Sequence, residues 1–446
     1  AVMGVSLASV PVAVLGLVVL AVSAARGKLA LSLEALALVG VAVVGMSATL
    51  FMLVRAGHDP LINQGNPSTV DAMMDVVWRR QYSVPGVWPR QAPVWVQLLS
   101  FVQYADWQVA SGLDSAVDAS WWRLPWSIGA LLLAIVGARW HHRRDVRSFR
   151  GMLVLLLATS LGVVAILNLR AGPSILDRLL PSGVSHEPRE RDYFFALAFA
   201  TMGAWAGAGA VVLATRFLTA RRAAIAGMTV AGLPLLLNWR AANRRTDAML
   251  APTLGESLLA SAPPNAVLLL AGDNDSYTTW YRQSVLAERR DVVPVTISLL
   301  PARWYREELA RRHRLFDSSV VAAWLGEEGT LRALTEGARR ERRPVAVALT
   351  VRRDMRIQLA PAWTLGGMAF TADTSSTLRA DGVDTAATRL VADLIAARKP
   401  SAGRGRDPAG TYVERILRCP MAALQLGSAA ADRPDASLLD SRCNFK

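Results

Sequence analysis

Residues 265–281 read NAVLLLAGDNDSYTTWY. The apolar run 265–272 has the length and composition of a strand buried on both faces, and Gly272 ends it. The polar stretch GDNDSYTTWY then turns into a helix expected to run to about Glu288. Residues 291–298 repeat the strand signal, 304–313 and 327–340 read as helices, and 344–350 as a third strand. Short apolar runs alternating with helical ones predict a mostly parallel sheet with helices on its faces. In such sheets ligands bind beyond the carboxyl ends of the strands, which is where Asp273, Asn274 and Asp275 fall. Two acids there could hold a divalent cation or a pair of sugar hydroxyls. The more ordinary reading is that Asp273 shapes the turn and Asp275 caps the helix, roles that Asp and Asn both favour. The loop is neither a GxGxxG fingerprint nor a P-loop, so it carries no nucleotide signature.

Upstream of this domain the character of the chain changes. Of its 446 residues 52% are hydrophobic, and the excess lies almost wholly before Trp239. A single water-soluble globule cannot expose such a surface, so lipid is part of the solvent. The expected organisation is a polytopic α-helical membrane bundle over residues 1–239, with external loops at 55–123 and 170–193. An extracytoplasmic, soluble α/β domain follows over 240–446. Apolar stretches near the ~20 residues that a bilayer requires occur at 2–25, 29–54, 124–138, 151–169, 194–213 and 223–237, about six spans.

The loops set the orientation. Arg26 and Lys28, then Arg139, Arg143, Arg144, Arg147 and Arg150, then Arg216, Arg221 and Arg222 face a single acid, Asp145. The intervening loops are balanced in charge, so the basic ones are expected in the cytoplasm. The two long polar loops and the C-terminal domain are then expected outside the cytoplasm. The net charge of +14 follows from this topology, and no basic stripe interleaved with aromatics suggests nucleic acid. Six tryptophans lie within 55–123 (Trp78, Trp88, Trp95, Trp107, Trp121 and Trp122). Amphipathic rings prefer the headgroup region, so part of this loop is expected to lie on the membrane surface, where a lipid-linked substrate would be presented or where the rings serve only as anchors with no ligand.

Polar chemistry concentrates beside the spans in two segments. His58 to Tyr82 offers His58, Asp59 and Asn63; SHEPRERDYFF, residues 185–195, offers Glu187, Arg189, Glu190 and Arg191. Guanidinium forks clamp phosphate bidentately, and a neighbouring carboxylate can accept a proton from a hydroxyl. The same acids and arginines could equally form a structural ion-pair network. Cys419 and Cys443 are the only two cysteines. On an oxidising side of the membrane they are expected to bridge, and neither has metal-ligand spacing around it.

The segments DPLINQGNPST, RRQY, HEPRERDYFFALAF, PNAVLLLAGDNDSYTTWY and DVVPVTISLLPARWY, in order over residues 55–310, resemble a family of bacterial membrane proteins long listed under a domain of unknown function. That family is similar to the eukaryotic transmembrane O-mannosyltransferase that modifies IPT domains. The resemblance implies a GT-C type glycosyltransferase that moves a sugar from a polyprenyl-phosphate donor to an extracytoplasmic protein or glycan acceptor. Arg189 and Arg191 would hold the phosphate, Glu187 and Glu190 would orient them, and His58, Asp59 and Asn63 would lie near the sugar or a metal. Family members carry an early external loop with an acidic Gly-Glu-Phe motif, the expected place of the catalytic carboxylate. Nothing like it occurs before His58, so the chain is expected to be truncated at its N-terminus and to lack the general base. The alternative is a non-catalytic membrane protein whose external α/β domain binds or assembles envelope components. A transporter is disfavoured, because ionisable residues are nearly absent from mid-span positions.

Overall fold

The computed structural model describes residues 17–27 (apart from 19 and 23), 29–77, 86–113, 120–175, 180–187, 190–242, 247–360, 362–372, 382–400 and 408–429. The helices, in chain order, are α1 (Leu29–Gly57), α2 (Val70–Val77), α3 (Val94–Ala110), α4 (Leu124–Arg144), α5 (Val146–Thr159) and α6 (Leu161–Leu167). They continue with α7 (Ala196–Ala214), α8 (Ala220–Ala242), α9 (Leu250–Ser261), α10 (Asp273–Val285), α11 (Arg303–His313) and α12 (Ser318–Ala322). The last are α13 (Gly326–Arg340), α14 (Arg353–Leu359), α15 (Thr385–Arg398) and α16 (Pro408–Ala429).

Among the described residues four helical stretches are long and apolar enough to cross a membrane: Val39–Gly57, Val146–Leu167, Asp192–Ala214 and Ala220–Trp239. They fall on four of the six expected spans. The stretch 2–25 lies mostly outside the described residues. The remaining one, 124–138, forms most of α4, whose last turn carries His141, His142, Arg143 and Arg144, and α4 is not among the four. The span Val146–Leu167 is broken between α5 and α6. There the Thr159 and Ser160 hydroxyls donate back to the carbonyls of Leu155 and Leu156, at 2.7 and 2.6 Å, a local competition that bends helices.

The chain forms two compact units. One comprises residues 1–84, 254–394 and 419–446, the other 85–253 and 395–418. This is a division by contact, a different matter from the boundary between lipid-facing and water-facing sequence.

The first unit is built on a six-stranded sheet: β1 (Val267–Leu270), β2 (Val293–Thr296), β3 (Val345–Ala348), β4 (Trp363–Gly366), β5 (Ala369–Ala372) and β6 (Gly382–Val383). Their spatial order is β2-β1-β3-β5-β4-β6. β1 pairs in parallel with both β2 and β3, Val267 standing opposite Val293 and Val345. This is the expected half of the sheet, and all of β1 is solvent-free. The other half adds antiparallel pairing to the expected parallel one. β3–β5 and β5–β4 are antiparallel and β4–β6 is parallel, so the sheet is mixed. Gly366–Gly367 makes the difference: Gly367, at φ +71°, turns the chain tightly enough for β4 and β5 to form a hairpin.

The second unit packs α3 to α8. Close approach of α4 to α7 rests on glycine: a Cβ at Gly137 would lie 1.9 Å from the carbonyl of Trp205, and one at Gly209 1.9 Å from that of Leu133. Such small-residue contacts let two helix backbones approach closely.

Candidate functional site

In the second unit the residues before α7 form a dense polar cluster. Residues 170–174 and 186–187 run side by side, joined by a parallel bridge between Ala171 and His186. The Glu187 amide donates to the Ala171 carbonyl at 2.7 Å, and the His186 imidazole Nδ1 meets the Gly172 carbonyl at 2.8 Å. That pairing fixes Glu187. One carboxylate oxygen accepts from the Arg170 amide at 2.9 Å; the other accepts from Nε and Nη2 of Arg191, at 3.0 and 2.9 Å. Nη1 of Arg191 donates to the Tyr193 hydroxyl at 3.0 Å. Arg191 stands immediately before the candidate span Asp192–Ala214.

Among the described residues Glu190 meets hydroxyls and a backbone amide. Its Oε2 accepts from the Tyr104 hydroxyl at 2.7 Å and its Oε1 from the Ser174 amide at 2.9 Å, with the Ser174 hydroxyl on the same oxygen. Burial raises its pKa, although all these donors pull the other way. Gly172 is required beside it, since a Cβ there would stand 2.7 Å from the Tyr104 hydroxyl and 3.1 Å from Glu190 Oε2. A small cavity opens among Ser100, Tyr104, Arg170, Glu187, Arg191 and Phe195. Arg189 lies outside the described residues.

Tyr104 and Ser100 escaped the sequence reading, yet a signal exists. Gln97, Ser100 and Tyr104 recur at helical spacing in α3, and all three are buried. A polar stripe buried at this period needs partners across the interface.

In the first unit, the loop after α1 brings the other candidates to different work. Asp59 takes φ +47° and forms a two-oxygen ion pair with Arg311 of α11, at 2.9 and 2.7 Å. Arg312 adds a contact of 2.5 Å to Asp59 and one of 2.7 Å to the Pro60 carbonyl. The Arg311 hydrogen bond is the largest cause that takes the Asp59 carboxyl down to about 2. Asn63, buried, donates to the Asn66 side chain at 2.9 Å. His58 sits exposed in the turn that ends α1. No group of three or more metal-ligating side chains occurs among the described residues.

Asp273 and Asn274 are exposed at the start of α10, whereas Asp275 is buried. Asp275 does not cap the helix through its side chain. Its Oδ2 accepts from the Ala271 amide at 3.1 Å and from the Thr350 hydroxyl. Thr350 follows β3, so this bond ties the carboxyl ends of β1 and β3 together at the point where the strand order reverses. Ser276 does the same for β2, meeting the Thr296 hydroxyl at 2.6 Å. Burial pushes the Asp275 carboxyl up to about 6, against both hydrogen bonds. Cys419 is buried and disulfide-bonded; Cys443 lies outside the described residues.

Fold and site together define a mostly helical protein with helices able to cross a membrane and a mixed-sheet domain in its C-terminal half. Within that domain, residues 251–328, from α9 into α13, match the family described as TMEM260-associated domain 2. No curated protein and no solved structure matches the chain.

Proposed function

We propose that the chain works in glycosyl transfer of the GT-C type. A sugar would leave a polyprenyl-phosphate donor for a protein or glycan acceptor outside the cytoplasm, in a bacterial inner membrane. The match of residues 251–328 to a TMEM260-associated domain supports the reading, as it agrees with the resemblance carried by the loop motifs. The observation that carries the chemistry is the Glu187–Arg191 pair beside a candidate span.

A guanidinium has five N–H donors. Glu187 takes two from one edge and Tyr193 takes a third, which leaves two for a phosphate oxygen pair at the membrane face. Glu187 thereby sets the plane of the fork, and Arg191 would neutralise charge on the departing lipid phosphate. Arg189, two residues earlier, would be a second phosphate contact. No residue is assigned as general base.

The test is Arg191→Lys in the membrane-bound protein. Lysine keeps the charge and loses the planar fork, so transfer should fall at least tenfold, about 1.4 kcal/mol, while the protein still accumulates in the membrane. Unchanged transfer removes the phosphate role. The occupied edge of Arg191 favours a second reading, in which the pair is structural and the sheet domain is an envelope-assembly module. Loss of the folded protein in both Arg191→Lys and Glu187→Gln would support that one.

A further inference from the structure

Helix α10 is folded inside out. Its buried residues are Asp275, Ser276, Thr279 and Arg282, all polar or charged. Its opposite face exposes Tyr277 (45%), Tyr281 (51%), Val285 (63%) and, just beyond the helix, Leu286 (45%). The stripe at 277, 281 and 285 follows the period of one helix face. The inward polar side chains are accommodated, since Asp275 and Ser276 bond across the strand ends and Arg282 meets Glu288 at 2.5 and 2.8 Å. In water the arrangement costs apolar exposure with no return. A helix turned this way implies that its outer face does not meet water.

The same unit shows what it meets. The candidate span Val39–Gly57 ends in α1, and the next apolar side chains, Leu61 (64% exposed) and Ile62 (43%), follow within five residues. So short a segment reaches at most ~17 Å, which holds both side chains near the headgroup layer. Two residues later the Gln64 side chain accepts a 2.7 Å hydrogen bond from the Tyr277 hydroxyl. The exposed stripe of α10 therefore begins where the loop leaves the span, and it begins with tyrosines, whose apolar rings and polar tips suit that layer.

We propose that the outer face of α10, with Leu61 and Ile62, is a membrane-binding surface that seats the sheet domain on the lipid headgroup region. It rests on α1 crossing the bilayer and is independent of any catalytic role.

Nitroxide labels in the full chain, reconstituted in phosphatidylethanolamine and phosphatidylglycerol vesicles, test this by collision with oxygen, which partitions into lipid, and with a water-soluble nickel chelate. Val285→Cys and Tyr281→Cys replace exposed side chains and leave the polar inner face intact. Glu336→Cys on α13, 55% exposed, is the water control, and Val44→Cys, 72% exposed in α1, reports the span itself. The ratio of oxygen to nickel collisions should be several-fold higher at 281 and 285 than at 336. A ratio at 285 equal to that at 336, while 44 reads as lipid, places α10 in water and overturns the proposal. Low access to both reagents at 281 and 285 also overturns it, because protein or a second copy then covers the face. A water-like reading at Val44 removes the span on which the proposal stands.

Discussion

Asp59 and Asp275 are the same residue type in the same compact unit, and their surroundings drive them in opposite directions. Asp59 is half exposed and faces two guanidinium groups, which hold it at about 2. Asp275 is buried, is bonded to a hydroxyl and an amide, and rises to about 6. Desolvation decides the second case and hydrogen-bonded cations the first. The difference teaches where to look for function. A buried acid with only neutral donors is costly, and here the tie it makes between β1 and β3 occupies the place where a ligand would otherwise enter. The exposed acid fastens the loop after α1 to α11, a contact that water and salt can loosen.

The largest effect that would break this comparison is the pH dependence of Asp275. Its folded-state pKa lies above the ordinary value of 3.8, so its protonated form is the better tolerated one. Its contribution to stability is fully present below pH ~4, is lost as pH rises through 6, and totals about 3 kcal/mol over that window. Asp275→Asn keeps an acceptor for Thr350 and cannot ionise. Thermal unfolding in detergent should show the native protein losing stability between pH 4 and pH 7 relative to the variant. Parallel curves for the two proteins would mean that burial does not govern this carboxyl.

Thr350→Val sharpens the same point. It removes the hydroxyl and leaves Asp275 with the Ala271 amide alone, so a buried acceptor loses one donor. A loss of about 1–3 kcal/mol at pH 7 is expected, shrinking at pH 4, where the neutral acid needs the donor less. An equal loss at both pH values would assign the effect to packing of the threonine methyl instead.

These contrasts also explain what was legible in the sequence. β1, β2 and β3 announce themselves because strands buried on both faces read as continuous apolar runs. The hairpin Trp363–Ala372 does not. Around two glycines β4 alternates buried and half-buried residues while β5 has two buried residues followed by two half-buried ones, a weak pattern whose pairing is fixed only by β3 beside it. Four spans were readable from composition. The polar sites were readable as segments, and their wiring was not. Asp59 finds Arg311 252 residues away, Asp275 finds Thr350 75 away and Glu190 finds Tyr104 86 away. No local spacing encodes such partners. The inverted face of α10 was hidden for a related reason: periodicity gives the stripe, and only tertiary packing shows which side is in.

The smallest effect concerns Asp59. Exposed ion pairs contribute roughly 0–1 kcal/mol, so Asp59→Asn should barely move global unfolding at pH 7 even though three guanidinium contacts are lost or weakened. Its consequence should be local. With a folded-state pKa below the ordinary value, the pair stabilises the docked loop above pH ~4 and releases it as pH falls toward 2. Hydrogen exchange of the amides at residues 61–66 should therefore quicken in Asp59→Asn at neutral pH, and high salt should quicken it in the native protein but not in the variant. If exchange there is unchanged in Asp59→Asn, the loop is held by the Gln64–Tyr277 bond and the burial of Asn63 rather than by its arginines. The contrast between the two aspartates would then be one of pKa without mechanical consequence.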